Sequence, residues 1–185
     1  MSSGHSHGIG MTSQRTRTRM IERLRESGIR NEAVLAAMAK VPRHIFVEEA
    51  LASRAYEDTA LPLGMGQTIS QPFIVARMIE LLLNGRQTIG KTLEVGAGCG
   101  YQAAVLAQLS SDVYAVERLG PLLEKAKSHM RVLQQFNVRL KHGDGQFGLP
   151  EAGPFDSIIV AAAGTQIPLP LLEQLSPGGR LILPI

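Results

Sequence analysis

Cysteine is all but missing from this 185-residue chain, where Cys99 stands alone. That excludes an internal disulfide and fits a reducing compartment. Long apolar runs are missing too: those around Leu81–Leu83 and Ile158–Ala163 fall well short of the ~20 residues a membrane-spanning helix needs. The start, Met1-Ser-Ser-Gly-His-Ser-His-Gly, is polar and glycine-rich where a secretory signal requires an apolar stretch. A cytoplasmic location and no membrane association are therefore expected. With 44% hydrophobic and 19% charged residues, the composition is globular and not disordered. The length suits one domain better than two.

The formal charge of +3 raises nucleic acid as a partner, so its distribution matters. Residues 1–30 hold Arg15, Arg17, Arg19, Arg23, Arg25 and Arg30 against Glu22 and Glu26, a balance of +4, and residues 31–185 carry −1. No aromatic residue is interleaved there to stack bases, and the two glutamates interrupt the run. A solvated helix face is the expectation, with no nucleic acid bound. His5 and His7 on the tail do not make a metal site, and no metal is expected.

Helical periodicity dominates residues 14–60. Met20, Ile21 and Leu24 share a face that Gly28 ends, and Asn31 is placed to cap a helix over Glu32–Lys40 that stops before Pro42. The glycines and prolines of Leu61–Pro72 predict a loop. Ser70 then stands as an N-cap for a helix through Phe73, Val75, Met78, Ile79 and Leu82. From Lys91 the pattern alternates. Strands are predicted near Thr92–Val95, Asp112–Val116, Val138–His142, Phe155–Ala161 and Arg180–Pro184. Helices are predicted near Tyr101–Leu109, Pro121–Phe136 and Leu169–Leu175. This implies an α/β fold, a doubly wound and mostly parallel Rossmann-like sheet behind an α-helical N-terminal extension. The expected organisation is a tail over 1–13 and one domain over 14–185, with a helical part (14–90) and a cofactor-binding core (91–185).

In such a sheet the ligand sits beyond the carboxyl ends of the strands. After the first predicted strand the chain reads Leu93-Glu94-Val95-Gly96-Ala97-Gly98-Cys99-Gly100-Tyr101. The spacing is Gly-x-Gly-x-Gly, not the Gly-x-Gly-x-x-Gly of dinucleotide folds. Glu94 would repel a pyrophosphate and suits a ligand bearing ammonium or sulfonium groups. Glu117, ending the next strand, is placed to accept hydrogen bonds from ribose hydroxyls. Asp144, between Gly143 and Gly145, could accept from an adenine amine. Three acids ending three consecutive strands agree on S-adenosylmethionine.

Leu93 through Gln102, Val116-Glu117 and Gly143-Asp144-Gly145 resemble the cofactor motifs of class I methyltransferases. Upstream, Val41-Pro-Arg-His-Ile-Phe-Val, Ala60-Leu-Pro-Leu-Gly and Gly66-Gln-Thr-Ile-Ser-Gln-Pro resemble one family, the protein-L-isoaspartate O-methyltransferases. Phe155 through Ala163, Ile167-Pro168 and Pro177 through Pro184 continue the match, which spans roughly residues 14–185. The resemblance implies methyl transfer from S-adenosylmethionine to the free α-carboxylate of L-isoaspartyl residues in damaged proteins, a repair reaction. It puts the catalytic serine at Ser70 and cofactor contacts at Gln67, Thr68, Ile69, Ser70, Gly96, Glu117, Asp144 and Gly145. Glu94, Gly98 and Gly100 belong to the same acid-plus-glycine motif.

Cys99, His142 and Arg43 are not assigned to the chemistry: a small side chain suffices at the first, local hydrogen bonding accounts for the second, and Arg43 could attract a substrate carboxylate or equally cap a neighbouring helix. Other readings stand beside the family one. They are a class I methyltransferase with another substrate, a nicotinamide-dependent oxidoreductase (disfavoured by the glycine spacing), and an inactive fragment or binding module using the basic segment. The sequence stops at Ile185, directly after the fifth predicted strand, whereas class I methyltransferases usually continue with two more. On that comparison the expectation is a truncated core that binds cofactor poorly, and a monomer when full-length.

Overall fold

The structure, a computed structural model, describes residues 10–185; His5 and His7 lie outside them. The chain divides into two compact units, one ending at Glu80 and one running from Leu81 to Ile185.

In the first unit, helix α1 (Gln14–Glu26) opens on Ser13, whose hydroxyl accepts from the Thr16 amide at 3.3 Å. It buries Met20, Ile21 and Leu24 as the periodicity predicts, and also Arg17. The Ile29 amide reaches back to the Leu24 carbonyl at 3.0 Å around Gly28, whose φ of +112° suits glycine. The expected Asn31 cap is present: its side-chain oxygen accepts from Ala33 and Val34 amides at the start of α2 (Glu32–Lys40). Short 3-10 turns at Arg43–Phe46 and Glu49–Arg54 follow.

The segment expected to be a loop is instead an antiparallel hairpin, β1 (Leu61–Gly64) with β2 (Gln67–Ile69). Leu61, Leu63 and Ile69 are buried while Pro62 and Thr68 are exposed, the period-2 alternation of a half-buried strand. Met65 and Gly66 close the turn with φ of +54° and +70°, the double positive φ that matches hairpin twist. Proline is tolerated in β1 because the hairpin has only two strands and both are edges. Helix α3 (Pro72–Leu83) follows.

The second unit is a five-stranded, all-parallel sheet in the order β5-β4-β3-β6-β7, from β3 (Lys91–Val95), β4 (Asp112–Glu117), β5 (Val138–His142), β6 (Phe155–Val160) and β7 (Leu175–Ile182). The strands alternate with α4 (Tyr101–Leu106), α5 (Gly120–Leu133) and α6 (Leu169–Glu173). This is the predicted doubly wound architecture. Several boundaries moved, among them the end of α4, which stops at Leu106 and not Leu109. The last strand begins at Leu175, five residues ahead of expectation, because Leu175 pairs with Phe155 before a register shift brings Arg180 opposite Ser157. Helix α5 stops at Leu133 because Gln134 adopts a left-handed conformation with φ +53°. Leu93, Val116, Phe155, Ile158, Val160 and Leu171 form a continuous buried cluster. Among the described residues no helix is long and apolar enough to cross a membrane.

Within the first unit Glu80 ties two distant segments together. One carboxylate oxygen accepts from the Arg30 and Asn31 amides at 2.7 and 2.8 Å, and the other meets Arg77 at 2.9 Å. Burial pushes this carboxyl up, but the two amides and Arg77 outweigh it and hold it below its usual range. The stabilisation is therefore present above the ordinary carboxylate pKa and lost as pH falls through the lowered one. Replacing Glu80 by alanine is expected to cost about 1–3 kcal/mol in urea unfolding at neutral pH. The variant should also lose part of the acid-side slope of stability.

Candidate functional site

In the second unit the strand order reverses between β4 and β6 on either side of β3, so the crevice for a ligand lies at the carboxyl end of β3. The chain leaves β3 through Gly96-Ala97-Gly98-Cys99-Gly100 and enters α4 at Tyr101. The loop is tied to β4: the Gly96 and Ala97 amides donate to the Val116 carbonyl at 2.9 and 3.1 Å. Glu117, at the end of β4 and only 7% exposed, completes the attachment. One of its carboxylate oxygens accepts from the Gly98 amide at 2.8 Å and the other from the Leu119 amide at 2.9 Å. Each oxygen retains a lone pair for a further donor.

The glycines have different tasks. Gly96 has φ +88° at the turn out of β3. A Cβ on Gly100 would stand 3.1 Å from Met130 and 3.2 Å from Ala126, so this glycine, expected in the cofactor group, lets α4 start against α5. A Cβ on Gly145 would lie 2.3 Å from a Val95 methyl, which shows how closely the chain after β5 approaches the end of β3. Asp144, an exposed residue, sits in that turn, and one of its carboxylate oxygens accepts from the Gln146 amide at 3.0 Å.

Glu94 sets the electrostatics. It is 0% exposed on β3, with Ala115 and Ile159 as its in-register neighbours on either strand. Neither carboxylate oxygen has a hydrogen-bond partner among the described residues, and the same holds for the buried Nε2 of Gln102. Burial is the chief reason its carboxyl is pushed up to about 8; the Gln102 amide acts against the shift and the Glu117 charge adds to it. A buried carboxylate without partners is costly. An orphaned acid beside a glycine turn suits a ligand that brings a positive group.

Glu94, Gly96, Gly98, Gly100, Glu117, Asp144 and Gly145 are thus gathered at the ends of three adjacent strands. Gln67, Thr68 and Ile69 form β2 in the first unit, and Ser70 follows at the entrance to α3. Ser70 is not the N-cap of α3. The Gln71 carbonyl accepts the Val75 amide at 3.2 Å, which puts the cap at Gln71. The Asp58 carboxylate accepts the Phe73 amide at 2.9 Å instead. His142 is hydrogen-bonded locally, as expected, and Arg43, left open between substrate attraction and helix capping, serves backbone carbonyls. Arg43 is wholly buried and donates to the Ala55 carbonyl at 2.7 Å, and a ring nitrogen of His142 pairs with the Arg118 carbonyl at 2.9 Å. His129 went unnoticed in the sequence: its Nδ1 lies 2.7 Å from the Cys99 carbonyl, and burial lowers its pKa, which keeps it neutral near pH 7. Its spacing of three from Ala126 on α5, beside Met130, was the available signal.

The protein-family model described as Protein-L-isoaspartate(D-aspartate) O-methyltransferase (PCMT) matches residues 15–185. A protein-L-isoaspartate O-methyltransferase of Dechloromonas aromatica (strain RCB) is 87% identical over 179 residues, which cover 97% of this chain and 83% of that one. The protein of the same name from Methylobacillus flagellatus is 62% identical over 185 residues, or 100% and 82% of the two chains. Among solved structures, a protein-L-isoaspartate O-methyltransferase superposes with a TM-score of 0.83 at 32% identity, covering 91% of this chain and 55% of that one. A PCMT from Plasmodium falciparum in complex with S-adenosyl-L-homocysteine gives 0.79 at 26% identity, covering 91% and 83%.

Glu94 yields a pH signature. Below about pH 4.5 folded and unfolded chains both hold its proton, and above about 8 both have released it. Between those limits only the folded chain keeps it, so stability falls as pH rises, on the order of 1.4 kcal/mol per pH unit at most from this one group. Glu94→Gln is expected to flatten that decline in denaturant titrations run from pH 5 to 9. An unchanged decline would mean the carboxyl is already ionised in the folded protein.

Proposed function

The chain belongs to the protein-L-isoaspartate(D-aspartate) O-methyltransferase family, and from that premise we propose how its own residues carry methyl transfer from S-adenosylmethionine to the free α-carboxylate of L-isoaspartyl residues. The observation that carries the assignment is the buried Glu94 near the end of β3, whose carboxylate oxygens have no hydrogen-bond partner among the described residues. S-adenosylmethionine has both an ammonium and a sulfonium group, so the residues present fit it. When bound, the cofactor supplies an electrophilic methyl on a positively charged sulfur.

Glu94 answers the positive charge of that group and is held ionised by it. Glu117, already anchored through the Gly98 and Leu119 amides, keeps one lone pair on each oxygen for ribose hydroxyls. Asp144 turns its free oxygen to the adenine amine, and Gly145 keeps the approach open. Gly96 and Gly98 let the backbone come close, with the loop fixed to the Val116 carbonyl. The family resemblance adds Gln67 through Ser70 as further cofactor contacts.

The substrate carboxylate is already ionised at neutral pH, so no strong general base is needed. The work lies in aligning its oxygen with the methyl–sulfur axis and excluding water. Ser70 orients the reacting groups through a hydrogen bond from its hydroxyl and does not attack. Because the helix cap is supplied by Asp58 and Gln71, the serine hydroxyl is not committed to capping.

Incubation of an isoaspartyl peptide with methyl-labelled S-adenosylmethionine is expected to give a base-labile methyl ester. Ser70→Ala should retain its fold while kcat falls about ten- to a hundredfold, a larger change than in cofactor affinity. Turnover equal to the parent would remove Ser70 from the mechanism.

A further inference from the structure

Ser70 lies between two fixed segments of the first unit. On its amino side, Ile69 pairs with Leu61 in the hairpin. On its carboxyl side comes Gln71-Pro72-Phe73, the start of α3, and there the local sequence supplies little. Pro72 has no N–H, the first turn holds no acidic residue, and a residue before proline is confined to extended conformations. The first amide the helix offers is that of Phe73.

Asp58 meets this need from 13 and 15 positions upstream. One carboxylate oxygen accepts from the Phe73 amide at 2.9 Å and the other from the Gln71 side-chain amide, also at 2.9 Å. The carboxylate therefore holds both a backbone and a side-chain position immediately after Ser70. Asp58 is itself held. The buried Arg43 guanidinium donates to the carbonyls on either side of it, Ala55 at 2.7 Å and Thr59 at 3.4 Å, and the Thr59 amide closes on the Glu57 carbonyl at 2.9 Å. Asp58 is an exposed residue, so packing into a core does not explain its placement. Its two bonds to the Gln71–Phe73 segment do.

We propose that Asp58 is a positioning residue for methyl transfer: its paired hydrogen bonds to Gln71 and Phe73, braced by Arg43, fix the backbone on which Ser70 meets the reacting groups. The inference rests on Ser70 having the orienting role given above. A carboxylate at a helix N-terminus also interacts favourably with the helix dipole, and a substitution that keeps the hydrogen bonds but removes the charge separates the two effects. Asparagine at this position still accepts from the Phe73 amide, and its amide pairs with Gln71 once that side chain turns over.

The test is steady-state kinetics with an isoaspartyl peptide on the full chain and its Asp58→Ala, Asp58→Asn, Ser70→Ala and Asp58→Ala/Ser70→Ala variants, with thermal unfolding alongside. Asp58→Ala is expected to lower kcat about tenfold or more while KM for S-adenosylmethionine stays within about twofold. Asp58→Asn should recover most of kcat even where its melting temperature stays lowered. The double variant should be little slower than Ser70→Ala, since both changes remove one arrangement. An unchanged kcat in Asp58→Ala, or an Asp58→Asn as slow as Asp58→Ala, would overturn the inference. So would fully multiplicative losses in the double variant. If Ser70→Ala alone turns over normally, the failure belongs to the role given to Ser70, and the positioning inference falls with it. A defective Ser70→Ala beside a normal Asp58→Ala refutes Asp58 alone.

Discussion

Keeping Glu94 inside the sheet requires either a proton or a positive partner, and the other features of the second unit follow from that requirement. The side chains of its in-register neighbours, Ala115 and Ile159, offer no donor, and the buried Gln102 Nε2 has no hydrogen-bond partner among the described residues. A protein that only needed a stable β3 would place a hydrophobic residue there, because well-packed apolar groups often match or exceed buried charges in stability. The cost makes physical sense if a cation-bearing ligand completes the site. The adjoining acid behaves differently for the same reason. Glu117 spends one lone pair per oxygen on the Gly98 and Leu119 amides, which fixes the loop without a ligand and still leaves one lone pair on each oxygen. One acid is held in waiting and the other is anchored.

Placements that depend on immediate neighbours in the chain were legible from the sequence. The run from Glu94 to Gly100, the Glu117 at a strand end and the Asn31 cap all concern partners within a few residues, or follow from parallel-sheet topology. The strands between Lys91 and Val160 were legible for a similar reason, since their apolar runs alternate with amphipathic helices. The hairpin was missed because Pro62, Gly64 and Gly66 argue for a loop. The burial of Leu61, Leu63 and Ile69 that outvotes them comes from tertiary packing. Asp58, Arg43 and His129 were illegible on different grounds. Each acts on a partner 12 to 30 positions away, and nothing in the local pattern marks it.

That division separates two ways of holding a site. At the ends of β3 to β5, precision comes from backbone constrained by glycines and by strand register, where a single added Cβ, as at Gly145, meets Val95 at 2.3 Å. Around Ser70, precision comes from side chains reaching across the first unit: Arg43 to the carbonyls flanking Asp58, and Asp58 to the start of α3. Backbone constraint is rigid but tolerates no added volume. A chain of side-chain hydrogen bonds can be lost one link at a time while the core stays packed. Substitutions in the glycine loop should therefore disturb folding and cofactor affinity together. Substitutions along the Arg43–Asp58–Gln71 chain divide by burial, since Arg43 is wholly enclosed and Asp58 and Gln71 are not. Only the links that are not enclosed can loosen the segment around Ser70 and leave the rest of the molecule in place.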